Sequence, residues 1–500
     1  MNKYICIHGH FYQPPRENPW TGKIEKQISA APFHDWNERI FQECYKPNTE
    51  AVIINETGKV LRRVNNFENI NFNFGPTLIR WIKEKHPNTF SKIIEADRKS
   101  VTVHNGHGNA IAQVYNHIIM PLATQKDRIT QIKWGIKDFY HHFGRMPEGM
   151  WLAETACNDA TLEALIDEKI TFTILDPSQA LFVRKIGTAE WIDVSGGKID
   201  PKMPYRYFSK KSGGFIDIYF YDGPLSRNLA FDDIVYDSKM LMDRIDSVKN
   251  TDDNNSQLIS IAVDGETFGH HKKFTERTIA FLLDEYAMNR GYKIVNFSEY
   301  LSYYKPEYEV LPDNGPRNEG TSWSCIHGVG RWKRNCGCIT GGNPGWNQRW
   351  RRHLRDSLNI LNAKLSVYFE IEGKKYFRNA WDARNDYIDI ILDGSNSAVN
   401  NFFRKHSSGN LGKNNEETAL KLLEMQKFSQ LMFTSCGWFF SDISGIESRI
   451  VLEYAKRAVE IAEKLSGLDF TTELLEVLEK AKSNISEIGN GKMIYLGLGK

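Results

Sequence analysis

The chain has 500 residues, 41% of them hydrophobic and 25% charged, and its formal net charge is +2. This composition indicates a globular protein with a large core, and the near balance of charges argues against a dedicated nucleic-acid or membrane-surface role. The N-terminus does not resemble a signal peptide and no apolar run has the length of a membrane span, so we expect a cytoplasmic protein. Seven cysteines, an odd count in so long a chain, indicate reduced thiols.

Strand and helix patterns alternate up to about residue 300. Strands are predicted at residues 4–8, 70–74, 101–104, 150–152, 171–175, 216–221, 258–263 and 293–296. Helices are predicted at residues 36–44, 77–85, 90–97, 125–143, 157–169 and 275–289. This alternation favours a parallel barrel or a doubly wound sheet. Because turns rich in polar side chains follow several strands, we favour the barrel, which gathers such turns on one face.

The first strand ends in two histidines, His8 and His10, and a proline-rich loop that contains Gln13 follows. A stiff loop after a strand end is typical of one wall of a binding site, although a lone histidine there is more often structural. A later stretch supplies His104, His107 and His117.

A candidate catalytic carboxylate, Glu154, lies in the stretch GRMPEGMWLAETA at residues 144–156. The apolar strand that contains Trp151 precedes it and a helical pattern follows, so Glu154 is predicted at a strand-to-helix turn, where parallel α/β proteins bind ligands. The alternative is a first-turn glutamate that complements the helix dipole.

A second carboxylate, Asp264, directly follows the apolar run at residues 258–263, and Glu266 and His270 come next. A carboxyl group half enclosed by apolar strand ends has a raised pKa, so it can hold a proton at neutral pH. Asp264 is therefore the predicted acid, with Glu266 in reserve. The alternative is a solvated acidic loop, as predicted also for the polar residues 250–255.

Residues 306–344 lack periodicity and are rich in glycine. A loop of this length is usually functional or held by a metal. Its Cys-x-His and Cys-x-Cys pairs are Cys325, His327, Cys336 and Cys338. Two interpretations stay open, a structural metal site and a lid whose tryptophans, Trp323 and Trp332, stack on sugars. Beyond the loop, helices are predicted at residues 346–369, 376–392, 415–433, 446–465 and 471–486.

Five motifs together resemble glycoside hydrolase family 57, the α-glucan-active amylases, glucanotransferases and branching enzymes. They are HGHFYQPP at residues 8–15, YNHIIMPL at 115–122, GMWLAET at 149–155, VDGETFGHH at 263–271 and GWFFSD at 437–442. The first departs from the usual pattern, because Phe11 and Tyr12 separate the last histidine from Gln13. The segment with the cysteines is unlike the well-known amylases, which indicates an outlying subgroup.

The resemblance implies an α/β fold, an incomplete (β/α)7 barrel followed by a C-terminal all-α helical domain. The expected divisions are a barrel at 1–305, an irregular loop at 306–344 and a helical domain at 345–500 that closes the cleft. Glu154 is the implied nucleophile and Asp264 the acid/base of a retaining glycosidase or transglycosidase. The residues expected around the sugar are His8, His10, Gln13, His117, Trp151, Glu266, His270, Trp323 and Trp438.

The expected partner is an α-glucan or another α-linked glucosaccharide. We expect no cofactor, catalytic metal, nucleic acid or membrane partner, and the sequence leaves the oligomeric state open. Two alternatives remain. One is a metal-dependent carbohydrate hydrolase or deacetylase that uses His8, His10, His104, His107 and Asp264 as ligands. The other is a catalytically idle glucan-binding protein on the same barrel.

Overall fold

The computed structural model describes residues 2–250 and 256–499, which divide into two compact units. The first unit contains the N-terminal segment up to Gln13, Lys26–Gln113 and Phe139–Asn314. The second contains Pro14–Glu25, Val114–Asp138 and the C-terminal segment from Gly315. Most of the predicted polar loop at 250–255 lies outside the described residues.

All of the strands belong to the first unit. In chain order they are β1 (Lys3–Phe11), β2 (Ala51–Ile54), β3 (Val60–Val64), β4 (Asn71–Phe74), β5 (Ala112–Gln113), β6 (Met150–Trp151), β7 (Phe172–Leu175), β8 (Ala180–Lys185), β9 (Ile192–Asp193), β10 (Tyr205–Phe208), β11 (Phe215–Phe220), β12 (Gln257–Asp264), β13 (Tyr292–Ile294) and β14 (Tyr308–Pro312). Their buried faces are almost wholly apolar along β1, β7, β11 and β12, as is usual for strands covered on both sides.

Parallel pairing connects most of these strands. β1 pairs with β12 on one side and with β4 and β13 on the other. Beyond β4, a parallel bridge joins Phe72 to Ala110, which lies just before β5. β5 pairs with β6, a parallel bridge joins Gly149 to Phe172 of β7, and β7 pairs with β11. The amide of Asp222, just after β11, donates to Ser260 O of β12 at 2.8 Å. The carboxyl ends of these strands therefore point the same way and collect the turns predicted to carry the chemistry.

A second group of strands was not predicted from the sequence. β10 pairs antiparallel with β11 and in parallel with β14, β14 pairs antiparallel with β8, and β8 with β9. β2 and β3 form a separate hairpin. The stretch predicted to be irregular from residue 306 thus begins with a strand of this sheet, β14.

The helices of the first unit are α1 (Trp36–Ile40), α2 (Lys46–Asn48), α3 (Pro76–Lys85), α4 (Pro87–Val103), α6 (Asp159–Asp167), α7 (Gly223–Phe231), α8 (Ser238–Ser247), α9 (Thr275–Phe281), α10 (Ala287–Asn289) and α11 (Phe297–Tyr303), and α5 (Gln125–Phe143) spans both units. The π-helical turns Phe41–Tyr45 and Leu282–Tyr286 link α1 to α2 and α9 to α10. The predicted strand at 101–104 is wrong, because that segment is the last turn of α4. Ile93, Ala96, Asp97 and Ser100 form one buried helical face there, and this packing overrides the β-branched residues Val101, Thr102 and Val103.

The second unit is helical. Besides part of α5 it contains α12 (Trp350–Gly373), α13 (Ala380–Asp386), α14 (Ile388–Leu392), α15 (Asn396–His406), α16 (Lys413–Leu431), α17 (Ile446–Ser466), α18 (Thr471–Leu478) and α19 (Gly491–Gly497). The predicted helix at 376–392 is two helices, the one at 471–486 ends at Leu478, and α15 was missed. Among the described residues, every helix is too short or too polar to cross a membrane.

A buried ion pair lies in the core of the second unit. Arg384 Nη1 donates to Asp127 Oδ1 at 2.8 Å, and Gln430 Nε2 donates to the same oxygen at 2.8 Å. Asn362 Nδ2 donates to Asp127 Oδ2 at 3.1 Å. Although burial opposes the charge, Arg384 and these donors lower the pKa of Asp127. The two buried charges are therefore paired, although Nε and Nη2 of Arg384 have no hydrogen-bond partner among the described residues.

Candidate active site

Aromatic rings from two strand ends stack in the first unit. His8 and His10 of β1 lie over the indole of Trp151, with ring centroids 4.7 and 5.0 Å apart, and Tyr12 stacks on His10 at 5.7 Å. Trp151 is 0% exposed, so its ring carries no open face for a sugar. Trp151 supports the two histidines, and its direct contact with substrate stays a prediction.

Asparagines of β4 fix these imidazoles. His8 Nδ1 is hydrogen-bonded to Asn71 Oδ1 at 2.7 Å, and the amide of Asn73 contacts both His8 Nε2 and His10 Nδ1. Burial lowers the pKa of His8 to about 4, so the ring is neutral at physiological pH. Sequence reasoning missed Asn71 and Asn73, although the alternation of Asn and Phe in NFNF was the available signal.

Glu154 lies in a strained turn. As predicted, it falls between strand β6 and helix α6, in the short 3₁₀ turn Ala153–Thr155. Its φ is 57° and that of Thr155 is 50°, a region that non-glycine residues rarely adopt. Gln179 holds the turn, because its Nε2 donates to Thr155 O at 2.9 Å and its Oε1 accepts from Thr155 Oγ1 at 2.8 Å. Such strain persists where the surroundings enforce it, commonly at functional sites.

Asp264 ends strand β12 opposite His10 in the parallel register. Its side chain is open to solvent, yet burial among surrounding protein atoms raises its pKa well above the ordinary value. Both properties fit a carboxyl group on the floor of a concave surface. The negative charges of Glu266 and Glu154 raise this pKa further. The protonated form is thus favoured, as a general acid requires.

Glu266 is 5% exposed and faces inward rather than toward a ligand. It accepts hydrogen bonds from Tyr12 N at 3.1 Å and Tyr45 Oη at 2.5 Å. Burial raises its pKa to about 7, and hydrogen bonds from Tyr45, Tyr12 and Gln13 oppose the rise. Its charge acts on Asp264, and its contact with substrate stays a prediction. Tyr45 is distant in sequence, and nothing in the sequence predicted its contact with Glu266.

We expect the stability of the protein to fall between about pH 4 and 7 because of Glu266. A carboxyl group whose pKa is higher folded than unfolded binds more protons when folded, so its stabilising effect is complete at low pH and lost as the pH rises through about 7. The contribution is about 3 kcal/mol. The free energy of unfolding, measured with denaturant across this pH range, should change less steeply with pH for Glu266→Gln than for wild type. The control Glu190→Gln, at an exposed glutamate of the same unit, should keep the wild-type slope, and equal slopes in all three proteins would contradict the assignment.

Two glycines bring the ends of β1 and β12 onto the buried ring of Phe11. A Cβ at Gly265 would lie 2.4 Å from this ring and one at Gly9 2.7 Å from it. The ring cannot readily move, because it is fully buried and stacks on Phe74 at 5.0 Å. Gly265 therefore fixes the backbone between Asp264 and Glu266 by close packing.

The remaining predicted residues of the first unit have protein partners. Gln13 is buried and its Nε2 donates to Tyr12 O at 2.9 Å. His270 forms an ion pair with Glu43, which Lys273 also contacts. His104 and His107 are hydrogen-bonded to the carboxylates of two different glutamates, Glu299 and Glu148.

His117, Trp323 and Trp438 belong to the second unit. His117 has a φ of 54°, its Nδ1 lies 2.6 Å from Ser435 Oγ, and burial lowers its pKa to about 3. Trp438 is fully buried, and its Nε1 donates to Arg351 O at 3.2 Å. Its ring is packed inside the second unit, and its role as a lid or stacking platform stays a prediction. Trp323 is half-buried.

The chain is similar to several known proteins. Alpha-amylase 1 of Dictyoglomus thermophilum is 25% identical over 201 residues, 40% of this chain, and the match spans about a quarter (26%) of that protein's length. The maltose-forming amylase of Pyrococcus sp. ST04 superposes with a TM-score of 0.70 at 14% identity, covering 96% of this chain and 83% of that one. The branching enzyme of Pyrococcus horikoshii gives 0.58 at 14% identity, covering 99% and 97%. At such identities the solved structures establish the fold alone.

Two family models match the sequence. Residues 346–498, which contain most of the second unit's helices, match a domain of unknown function, DUF3536. Residues 7–312 match the model described as glycosyl hydrolase family 57, and this match covers more than half of the chain and contains both Glu154 and Asp264. The chain belongs to glycoside hydrolase family 57.

Proposed function

We propose that this protein is a retaining glycosidase or transglycosidase that acts on α-glucans, with Glu154 as nucleophile and Asp264 as acid/base. The observation that carries the proposal is the unequal environment of the two carboxyl groups. Burial and two neighbouring carboxylates raise the pKa of Asp264, whereas Glu154 lies half-buried in a strained turn. A carboxyl group whose pKa is raised holds its proton more readily, as the acid role requires.

In the first step, Glu154 attacks the anomeric carbon and a glycosyl ester forms while the glycosidic C–O bond breaks. Asp264 gives its proton to the departing oxygen. In the second step, Asp264 takes a proton from water or from an acceptor sugar hydroxyl, which attacks the same carbon and releases Glu154. Two displacements retain the α configuration and require carboxyl groups about 5–5.5 Å apart.

The neighbouring residues support these two groups. His8 is neutral and, with Asn73 and Trp151, supports the ring of His10, which lies opposite Asp264 in the register of β1 and β12 and is offered for a sugar hydroxyl. A neutral ring suits this place, because a cation next to Asp264 would lower the pKa of the acid. Glu266 has the opposite effect and keeps the proton on Asp264.

The proposed scaffold is the incomplete (β/α)7 barrel of the family. Its strands would be β1, β4, β5, β6, β7, β11 and β12. The parallel pairings and bridges along this series, with the Asp222–Ser260 hydrogen bond between β11 and β12, support it. Both candidate carboxylates then follow strand ends on the face where barrels bind substrate.

The substrate class comes from the named relatives, an amylase and a branching enzyme. The metal-dependent alternative is less favoured, because its four histidines are hydrogen-bonded to asparagines or to two separate glutamates. Within residues 2–250 and 256–499, a grouping of three or more possible ligands is found elsewhere, at Cys325 and its neighbours.

Incubation with maltooligosaccharides, amylose, glycogen and α-linked disaccharides tests the proposal. Products are separated by chromatography, and the anomer formed first is read by proton NMR. We expect shortened or rearranged α-glucans with the α anomer released first, and unchanged rates after brief treatment with a chelator. A β anomer first, or activity that depends on added metal, would overturn the mechanism. Absence of product from every glucan, with normal folding, would favour the idle binding protein.

A further inference from the structure

Four possible metal ligands meet in the second unit, where the sequence left a metal site as one of two interpretations. The ligand atoms of Cys325, His327, Cys336 and Cys338 all lie within 4.8 Å of one another. Cys325 Sγ is 3.9 Å from Cys336 Sγ and 3.8 Å from Cys338 Sγ, and Cys338 Sγ is 3.5 Å from His327 Nδ1. All seven cysteines are free thiols.

These separations fit a tetrahedral zinc ion. Zn–S bonds of about 2.3 Å and Zn–N bonds of about 2.0–2.1 Å, at the tetrahedral angle, place two sulfurs about 3.8 Å apart and a sulfur and a nitrogen about 3.5 Å apart. A disulfide would bring two sulfurs to about 2.0 Å. An iron–sulfur cluster would hold its cysteines farther apart, because the cluster stands between them.

Buried arginines beside the group need a counter-charge. Arg331 and Arg351 are buried, and within the described part of the chain neither has a carboxylate ion-pair partner. Arg351 Nη1 donates to Cys338 O at 2.8 Å, so a guanidinium lies against the Cys-x-Cys segment. Zinc with three thiolates and one neutral imidazole has a net charge of −1, which offsets part of this buried positive charge.

The backbone around these four residues suits metal binding. Gly337, between the last two cysteines, has a φ of 86°, which lets both thiols face one point. Gly330 packs against the same group, since a Cβ there would lie 3.0 Å from Cys336 Cβ. Between β14 and α12, regular structure is limited to the short 3₁₀ turns Pro316–Asn318 and Gly330–Trp332. Metal ligation supplies the ordering energy that such a segment lacks.

We propose that Cys325, His327, Cys336 and Cys338 bind one Zn²⁺ ion in a closed, structural site. Four protein ligands leave no open position for water or substrate, so the ion stabilises the segment and takes no part in bond cleavage. Binding displaces the protons of whichever thiols are protonated, and the imidazole ligates as the neutral form. Cys325 is buried, whereas His327 is exposed and provides a route of entry.

Elemental analysis of full-length protein, purified without chelator or an affinity metal, measures the bound ion. We expect about one zinc per chain in wild type, loss of zinc in Cys336→Ser and Cys338→Ser, and full retention in Cys436→Ser, a half-buried cysteine of the same unit outside the group. Metal-free wild type that takes up no added Zn²⁺ would overturn the proposal, as would equal zinc in all variants. Bound iron would identify a different metal and also overturn it.

Three further measurements on wild type keep the test valid if the serine variants fail to fold. Mercurial titration of the thiols should release zinc in step with their modification. Protein loaded with Co²⁺ should show the intense visible bands of a tetrahedral thiolate site. Limited proteolysis should then cut between residues 313 and 349 in zinc-depleted protein and not in zinc-bound protein. Cobalt bound in octahedral geometry, or the same cleavage with and without zinc, would count against a structural site.

Discussion

Glu154→Gln is expected to lower kcat on α-glucans by about 10⁴-fold while the protein keeps its fold. The amide has the same shape as the carboxylate, but it cannot form the glycosyl ester, and loss of a nucleophile removes the covalent route altogether. Steady-state rates and thermal unfolding of variant and wild type measure the two effects. The control Glu148→Gln, which keeps a hydrogen-bond acceptor for His107, should retain wild-type rates.

Azide distinguishes a nucleophile from a residue that only shapes the turn. In Glu154→Ala, azide can enter the space of the missing carboxylate and attack the anomeric carbon directly. We expect recovered turnover of an activated α-glycoside and a glycosyl azide of inverted, β configuration. Wild-type activity in Glu154→Gln would show that this residue is a structural part of the strained turn, and a retained azide product would assign it the acid/base role.

Asp264→Asn is expected to lose about 10²–10⁴-fold in kcat/KM on maltooligosaccharides, the range typical of general acid catalysis. On aryl α-glycosides with acidic leaving groups the loss should be much smaller, because these groups leave as anions without a proton. The raised pKa of Asp264 also sets the alkaline limit of activity, since the acid form is lost above it. With activated substrates, the rate of the variant's first step should therefore no longer fall at alkaline pH.

Asp237→Asn is the matched control for this change. Asp237 is an exposed residue that caps α8 by accepting a hydrogen bond from Met240 N at 2.9 Å, and asparagine caps helices equally well. Its activity should equal that of wild type on both substrates. Equal losses on natural and activated substrates in Asp264→Asn would contradict the acid role and direct attention to Glu266.

The sequence predicted those parts of the site that lie at strand ends. Residues such as His8, Glu154 and Asp264 follow apolar runs whose pattern indicates a strand, and parallel strands bring such ends to one face. Helix 125–143 is confirmed residue for residue, because its periodicity is long and uninterrupted. Short strands such as β10 and β14 were missed because few residues carry the pattern, although β10 pairs with the next strand in the chain, β11.

Contacts between distant residues were also beyond the sequence. Tyr45 gave no sign that it would meet Glu266, and Asn71 and Asn73 looked like ordinary polar residues of a strand. The sequence also did not predict that Trp438 is buried, because a tryptophan near polar residues gives the same pattern whether its ring packs in the core or faces a ligand. The sequence offered the metal-ligand group as one of two interpretations of the loop, and the fold places the ligand atoms of its Cys-x-His and Cys-x-Cys pairs within 4.8 Å of one another.

The buried contacts of Asp127 have a consequence for synthesis on the ribosome. Asp127 lies in α5, but its partners Arg384 and Gln430 follow much later, the second by 303 residues. At about 5–20 residues per second, roughly 15–60 s pass between translation of Asp127 and of Gln430. During that interval the carboxylate lacks Arg384 and Gln430 and keeps only earlier partners such as Thr124, so the nascent chain should depend on chaperones, and slower elongation should increase aggregation more than it would in a chain folding from its N-terminus.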